Sequence, residues 1–389
     1  MKNLPILLSA FATILFACPM PGRSGTPELQ NPEVRMSFII LGDIHYCEER
    51  FYDMGAMFAD KPGDWRQIAR TYAPVTKANW KDQASIISAV ARSTEPPVRC
   101  IVQLGDISEG LGNTPGGPEA IARNITDILK DTDPGCPWLL VKGNHDITGV
   151  GDSCKIEAKA AFGKFYTPFI REQTGQEGIR EATYAYETGG VLFVVLDAFG
   201  HVSEQISFAK QALESSNARY KFICLHEPVI PATERCWHFL RHNRPEIRES
   251  FLRIVAENQA FVLCGHLHRY SVLRRKTPWG PIVQVMANSV TNLKREADTS
   301  ETLDGVQYYG TYLCDTYRPD FNPDNLETRR AQLSAEAPFV DYYKMNTLAG
   351  YGVITIDSAT DQVLLKYYAA FDPEKPYDVV DLTELYRRP

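Results

Sequence analysis

Short apolar runs, polar loops and helical periods alternate along most of this chain. The runs at 36–41, 100–104, 138–141, 191–196, 221–225 and 260–264 have the length and β-rich composition of buried strands. Between several of them the period changes to that of a helix. Ala158, Phe162, Phe165 and Phe169 recur on one face, as do Ile247, Phe251, Ile254 and Val255. Ile206, Ala209 and Leu213 do the same behind Ser203, which reads as an N-cap. Two closing strands are predicted near 351–356 and 363–368. Alternating strands and helices predict a layered α/β domain. Three segments break the pattern and read as long loops, a feature often tied to function. They are 47–78 (Phe51, Tyr52, Phe58, Trp65, Tyr72), 229–243 (Trp237, His238, His242) and the Tyr-rich 291–348.

Composition narrows the class. A chain of 389 residues is long for one domain but within reach of a large two-sheet enzyme, and 18 Phe and 19 Tyr supply core material. The net charge of −7 comes from intermixed acids and bases, without the clustered basic face of a nucleic-acid-binding module. No nucleic-acid or protein partner is expected. A small phosphorylated substrate remains compatible, because bound metal ions invert the local field.

The first residues read as an export signal: Lys2 is followed by an apolar stretch from Leu4 to Ala17, short for a bilayer span. It ends Leu15-Phe16-Ala17-Cys18, which resembles a lipobox, although Phe16 is bulky for its position. The expected organisation is a signal peptide at 1–17, lipidation of Cys18, a tether at 18–34 and one domain at 35–389. The protein would then reside in the periplasm or on the cell surface, meeting the membrane through its lipid anchor only. Ordinary secretion is the alternative. Of the other eight cysteines, Cys100, Cys224 and Cys264 lie in strand-like runs as small hydrophobes. Cys47, Cys136, Cys154, Cys236 and Cys314 lie in loops or near element ends, where one or two disulfides are permitted but no pairing is readable.

The chemistry sits at the ends of the strand-like runs. In order they close on Gly42-Asp43-Ile44-His45, Gly105-Asp106-Ile107-Ser108-Glu109, Gly143-Asn144-His145-Asp146, Leu225-His226 and Gly265-His266-Leu267-His268. Strand ends are where α/β proteins build their sites. Residues i and i+2 on an extended backbone share a side, so Asp43 with His45, and His266 with His268, can reach one cluster. The preceding glycines let the chain turn sharply and come close to ions. Imidazole, carboxylate and amide oxygen without thiolate suit Mn, Fe or Zn better than Ca.

These motifs in this order resemble the calcineurin-like metallophosphoesterase superfamily, over roughly 37–268. The resemblance implies two face-to-face central mixed β-sheets flanked by helices, in a four-layer sandwich. It also implies two divalent or trivalent metal ions: one held by Asp43, His45, Asp106 and His268, the other by Asp106, Asn144, His226 and His266. Hydroxide generated by the metals would attack a phosphate mono- or diester, with His145 as the general acid toward the leaving alkoxide. Two departures stand out. Where the phosphoprotein phosphatases carry an Asp-Arg pair, this chain has Glu109-Gly110, so a phosphate-gripping Arg is missing. Glu109 is expected to orient His145 through its carboxylate. No Tyr ligand stands at 109, against the purple acid phosphatase pattern.

Taken singly, each motif has a bland reading: Asp-x-His as a solvated strand end, Gly-Asp as a turn, a lone His as hydrogen-bonded core. Five motifs in one order, holding five of the eight histidines, outweigh those readings together. His201, His238 and His242 keep the bland reading, and Asp146 reads as a turn cap. Arg235, Arg241 and Arg244 are candidates to replace the missing Arg, whereas Arg248 reads as solvated. Two other functions stay open: a nuclease of the same fold, which a salt-sensitive activity on single-stranded DNA would reveal, and a non-catalytic, metal-dependent surface binding protein.

Overall fold

Each of the apolar runs becomes a strand, and others form where the sequence reads as irregular. In chain order they are β1 (Arg35–Leu41), β2 (Val98–Gln103), β3 (Trp138–Leu140), β4 (Tyr184–Thr188), β5 (Val191–Val195), β6 (Tyr220–Cys224) and β7 (Phe261–Cys264). There follow β8 (Tyr270–Arg275), β9 (Ile282–Met286), β10 (Thr302–Asp304), β11 (Val340–Asn346), β12 (Gly350–Asp357), β13 (Gln362–Ala369) and β14 (Asp378–Asp381). The computed structural model describes residues 33–288, 301–316 and 325–388. The expected signal peptide, Cys18 and the tether as far as residue 32 lie outside them.

Two mixed sheets result. One has the order β14-β13-β12-β1-β2-β3, with β1, β2 and β3 parallel. The other has the order β10-β11-β8-β9-β7-β6-β5-β4, with β5, β6, β7 and β9 parallel. Their inner faces meet. Phe38 of β1 stands edge-on to Phe193 of β5 and Phe222 of β6, both at 4.9 Å between ring centroids. Alternation along β5 shows the layering: Val191, Phe193 and Val195 join the cluster between the sheets, while Leu192 and Val194 join a second one. That second cluster is closed by Ala209 and Leu213 of helix Val202–Ser215 and by Phe251, Leu252 and Val255 of helix Pro245–Glu257. Helices Ala73–Ser93 and Gly117–Thr132 contribute Ile87, Ile121, Ile125 and Leu129 to the first cluster. The α/β architecture of two mixed sheets flanked by helices is thus the one expected.

Several expectations need correction. Segment 47–78 is largely helical rather than a long loop: helix Met54–Asp60 precedes a helical path from Pro62 to Ser93, interrupted by a π turn at Gln67–Tyr72. Its period was illegible because the buried positions of Ala73–Ser93 include Thr76, Gln83 and Ser88, so the contacting stripe is half polar. Segment 291–348, as far as it is described, holds β10, β11 and helices Thr311–Asp315 and Leu326–Glu336. Segment 229–243 does run without helix or strand. Ser203 is no N-cap: helix Val202–Ser215 starts behind His201, without a side-chain cap bond. The tether cannot reach through Val34, which is 4% exposed and donates its N–H to Ser358 Oγ at 2.8 Å. No disulfide forms among the eight described cysteines, seven of which are buried. Among the described residues no helix is long and apolar enough to cross a membrane.

Candidate metal centre

Parallel register brings the motif-bearing loops to one end of both sheets. Leu41 of β1 lies beside Gln103 of β2, which lies beside Leu140 of β3. In the other sheet Cys224 of β6 lies beside Leu263 of β7. Two to five residues beyond these ends, Asp43, His45, Asp106, Asn144, His226, His266 and His268 converge. Donor atoms of Asp43, His45, Asp106 and His268 lie within 4.8 Å of one another, and so do those of Asp106, His226 and His266. Asn144 joins the second group, its Oδ1 3.2 Å from His226 Nε2. Asp106 is common to both.

The turns are made by the polar residues themselves. His45, Asp106, His266 and His268 all have left-handed backbone, with φ of 49°, 51°, 75° and 51°. Such conformations cost of order 1–3 kcal/mol each in a non-glycine residue and persist where the surroundings over-determine them. The glycines act mainly by giving room. A Cβ on Gly143 would collide with the backbone N of Asp106, and one on Gly105, at φ +93°, would meet the His226 ring.

Hydrogen bonds on the far side of each ring decide what the near side can offer. His226 Nδ1 lies 2.7 Å from the Leu104 carbonyl oxygen, which can only accept, so Nδ1 carries a proton. Its Nε2 then faces Asp106 Oδ2 at 3.2 Å, Asn144 Oδ1 at 3.2 Å and His266 Nδ1 at 3.1 Å. Similarly His45 Nδ1 lies 2.7 Å from Glu109 Oε2, turning Nε2 toward His268 Nε2 at 3.0 Å and Asp106 Oδ2 at 3.7 Å. Burial first, then neighbouring histidines, hold His45 well below the usual imidazole range; burial and then Arg235 take His268 down to about 3. Burial chiefly, and the Asp106 charge beside it, raise Asp43 to about 7. For His226 burial is overridden by Asp106 and Asp43, which push it up to about 10: the pocket stabilises positive charge there. The Nε2 atoms of His45 and His268, both held neutral by burial, face each other at 3.0 Å, and the buried His266 Nε2 has no hydrogen-bond partner among the described residues. Nitrogen and oxygen ligands near 2.0–2.2 Å from a cation are themselves separated by such distances. The residues present fit a dinuclear metal site.

His145, Glu109 and Asp146 surround this cluster. The His145 backbone N–H donates to Asp106 Oδ1 at 2.7 Å, and its ring Nδ1 donates to the Glu109 carbonyl at 2.7 Å. The expected carboxylate contact is not made: Glu109 Oε2 stands 3.7 Å from His145 Nδ1 and bonds His45 instead. The main chain of Glu109, not its side chain, orients His145. Against the effect of burial, Glu109 and Asp106 push the His145 imidazole up to about 9. Asp146 accepts N–H bonds from Ile107 and Ser108 on Oδ1 and from Gly143 on Oδ2, lacing the two loops together. It is a brace across two strand ends rather than a cap of its own turn.

Aromatic and cationic groups that the motifs do not mark complete the surroundings. Tyr72, from the π turn, stacks on His45 at 4.4 Å; Trp237 lies 5.0 Å from His266 and Phe199 6.2 Å from His226. The Arg235 guanidinium stands 5.9 Å from the Trp237 ring and interacts electrostatically with Tyr72, His266, His268 and Asp43. Arg241 pairs with Glu227 at 2.9 Å, and Arg248 pairs with Glu336 at 2.6 Å rather than lying in solvent. No periodicity marks Tyr72 or Phe199. His201 and His242 are exposed and His238 is buried; none of the three is among the clustered donors. A groove of about 390 Å³ along helix Ala73–Ser93, lined by Trp80, Lys81, Ser85 and Asp131, shares no residue with the cluster.

Residues 36–270 match the model of the calcineurin-like phosphoesterase family. Among solved structures, purple acid phosphatase PPD1 from yellow lupin (Lupinus luteus) seeds is similar at 14% identity and a TM-score of 0.50, over 92% of this chain and 55% of the lupin chain. PhoD is similar at 13% identity and a TM-score of 0.50, over 92% of this chain and 70% of that one. Likeness at such identity establishes the fold alone, and this chain spans about half the length of the lupin protein. No curated protein matches.

Proposed function

The chain belongs to the calcineurin-like phosphoesterase family, and we propose that it hydrolyses a phosphate mono- or diester with two metal ions and His145 as the general acid. One observation carries this reading: seven candidate ligands from five strand ends converge with Asp106 between two groups of donors. Asp43, His45, Asp106 and His268 would hold one ion, and Asp106, Asn144, His226 and His266 the other. Bound cations of this kind draw charge from phosphoryl oxygens and acidify water for in-line attack. Mn, Fe and Zn all suit the donor set.

The chain's own residues supply the rest. With Nδ1–H fixed on the Glu109 carbonyl, His145 has Nε2 free to hold and donate a proton to the leaving oxygen. The Glu109 and Asp106 charges beside it favour the protonated ring. General acids of this type contribute roughly 10²–10⁴-fold. Arg235 brings a permanent positive charge to the rim, the role for which Gly110 leaves no side chain. Phe199, 37% exposed, stands beside His226 at the edge of the cluster, its N–H anchored on Asp197 Oδ1 at 2.9 Å.

The proposal extends to location. The lipobox-like Leu15-Phe16-Ala17-Cys18 supports an exported enzyme anchored by lipid at Cys18, acting on small substrates such as nucleotides, phosphosugars or lipid head groups. The test is turnover of a panel of mono- and diesters with Mn, Zn and Fe supplied separately, comparing the native chain with His145→Ala on an alkyl phosphate. Loss of turnover on substitution supports the reading; equal inactivity of both toward every ester overturns it in favour of a binding protein.

A further inference from the structure

We propose that Glu109 is a positioning residue for one metal ion of the pair: its carboxylate fixes His45 as an Nε2 ligand, while its main chain separately holds the general acid. The inference rests on the reading of Asp43, His45, Asp106 and His268 as one metal site.

The geometry divides the two roles within a single residue. Glu109 and His45 are both fully buried, with Oε2 2.7 Å from Nδ1, and an ionised carboxylate, which can only accept, places the ring proton on Nδ1. With the proton on Nδ1, the lone pair lies on Nε2, on the side of Asp106 and His268. A carboxylate behind a ligand imidazole orients the ring and raises its basicity, and loss of such a partner costs 10–100-fold in metal affinity. The other faces of the ring are also held. Tyr72 stacks on it with an interplanar angle of 14°, and His145 meets it edge-on at 4.7 Å. Tyr72 ends the π turn at Gln67–Tyr72, and turns of that kind are frequent at functional sites. Thr76, on the helix that follows, accepts the N–H of Cys47 at 3.3 Å, tying that helix to the backbone just beyond His45.

The second group of donors lacks this arrangement. His226 is fixed by the Leu104 backbone carbonyl, which no substitution removes. Changing the Glu109 side chain should therefore act on one ion only. It should leave His145 in place, because the Glu109 carbonyl remains.

Zn²⁺ titration of the whole chain by calorimetry, native against Glu109→Gln, reads this directly. Two ions are expected in both, one with unchanged affinity and the other weakened about 10–100-fold in the variant. Unchanged affinity at both sites, or equal weakening of both, overturns the proposal. His45→Ala separates this from failure of the underlying reading: if that variant still binds two ions at native affinity, His45 is no ligand and both fall together. If it loses one ion while Glu109→Gln loses none, only the positioning role falls. Should Glu109→Gln not fold, ¹⁵N-histidine NMR of the native chain decides. Zn²⁺ should shift His45 Nε2 while the Nδ1 proton persists; coordination through Nδ1 overturns the proposal.

Discussion

The two halves of the cluster reach similar geometry by different means. Around His45 the far-side partner is a side chain, Glu109, with Tyr72 stacked on the ring. Around His226 the far-side partner is the Leu104 carbonyl, part of the chain leaving β2. One half is held by side chains, which substitution can remove; the other is fixed by the course of the backbone. Asp106 is the point where this difference vanishes, because its Oδ2 faces both His45 and His226 while its Oδ1 holds the His145 N–H. Asp106→Ala is accordingly expected to have the largest effect. Both ions should be lost together, and turnover should fall by more than the roughly 10²–10⁴-fold range of general-acid loss. Metal content by mass spectrometry beside phosphoester turnover checks this, and retention of two ions would refute a shared role for Asp106.

His145→Ala comes next and should spare both halves. Turnover of an alkyl phosphate is expected to drop about 10²–10⁴-fold, with a much smaller loss for a nitrophenyl ester whose leaving group needs no proton. Two ions should remain bound. Equal losses on both esters would assign His145 a structural role instead.

The contrast also explains what could be read in advance. Apolar runs such as 191–196 declared their strands because every position is buried, and the residues after them declared the site because strand ends converge. Four things were hidden. Thr76, Gln83 and Ser88 on the buried stripe of Ala73–Ser93 concealed a helix whose leading π turn supplies Tyr72. No motif or apolar run marks Arg274 and Arg275 in β8, yet each is 3% exposed and paired, with Asp341 and Glu336. The left-handed turns at His45 and His268 were hidden because positive φ is uncommon in any non-glycine residue, even though His is enriched among the exceptions. Which partner Glu109 would choose depends on a difference between 2.7 and 3.7 Å that no motif encodes.

Arg235 tests the rim rather than either half. Arg235→Gln removes the charge that interacts with Asp43 and His268 without removing a donor of the cluster. A charge-assisted hydrogen bond to substrate is worth about 1.5–3 kcal/mol, so KM should rise by roughly 10–150-fold with both ions retained. Steady-state kinetics with a phosphate monoester gives the answer; an unchanged KM would remove Arg235 from the substrate's path.

The smallest expected effect is the sharpest test of the asymmetry. Tyr72→Leu keeps an apolar side chain beneath His45 but loses the stacked ring, and aromatic pairs are worth about 0.5–1.5 kcal/mol beyond their area. That corresponds to a loss of about 2–12-fold in the affinity of one ion, the same ion weakened by Glu109→Gln. Phe199→Leu makes an equivalent change beside His226, but there the ring is tilted at 47° and 6.2 Å away, and the Leu104 carbonyl already fixes the imidazole. Its metal affinities should not move, while KM for a substrate with a planar leaving group should rise a few-fold, as expected for loss of one aromatic contact. Zn²⁺ titrations of the two variants side by side decide the matter. If Phe199→Leu weakens an ion as much as Tyr72→Leu does, the half held by the backbone depends on its side-chain neighbours as much as the other half does.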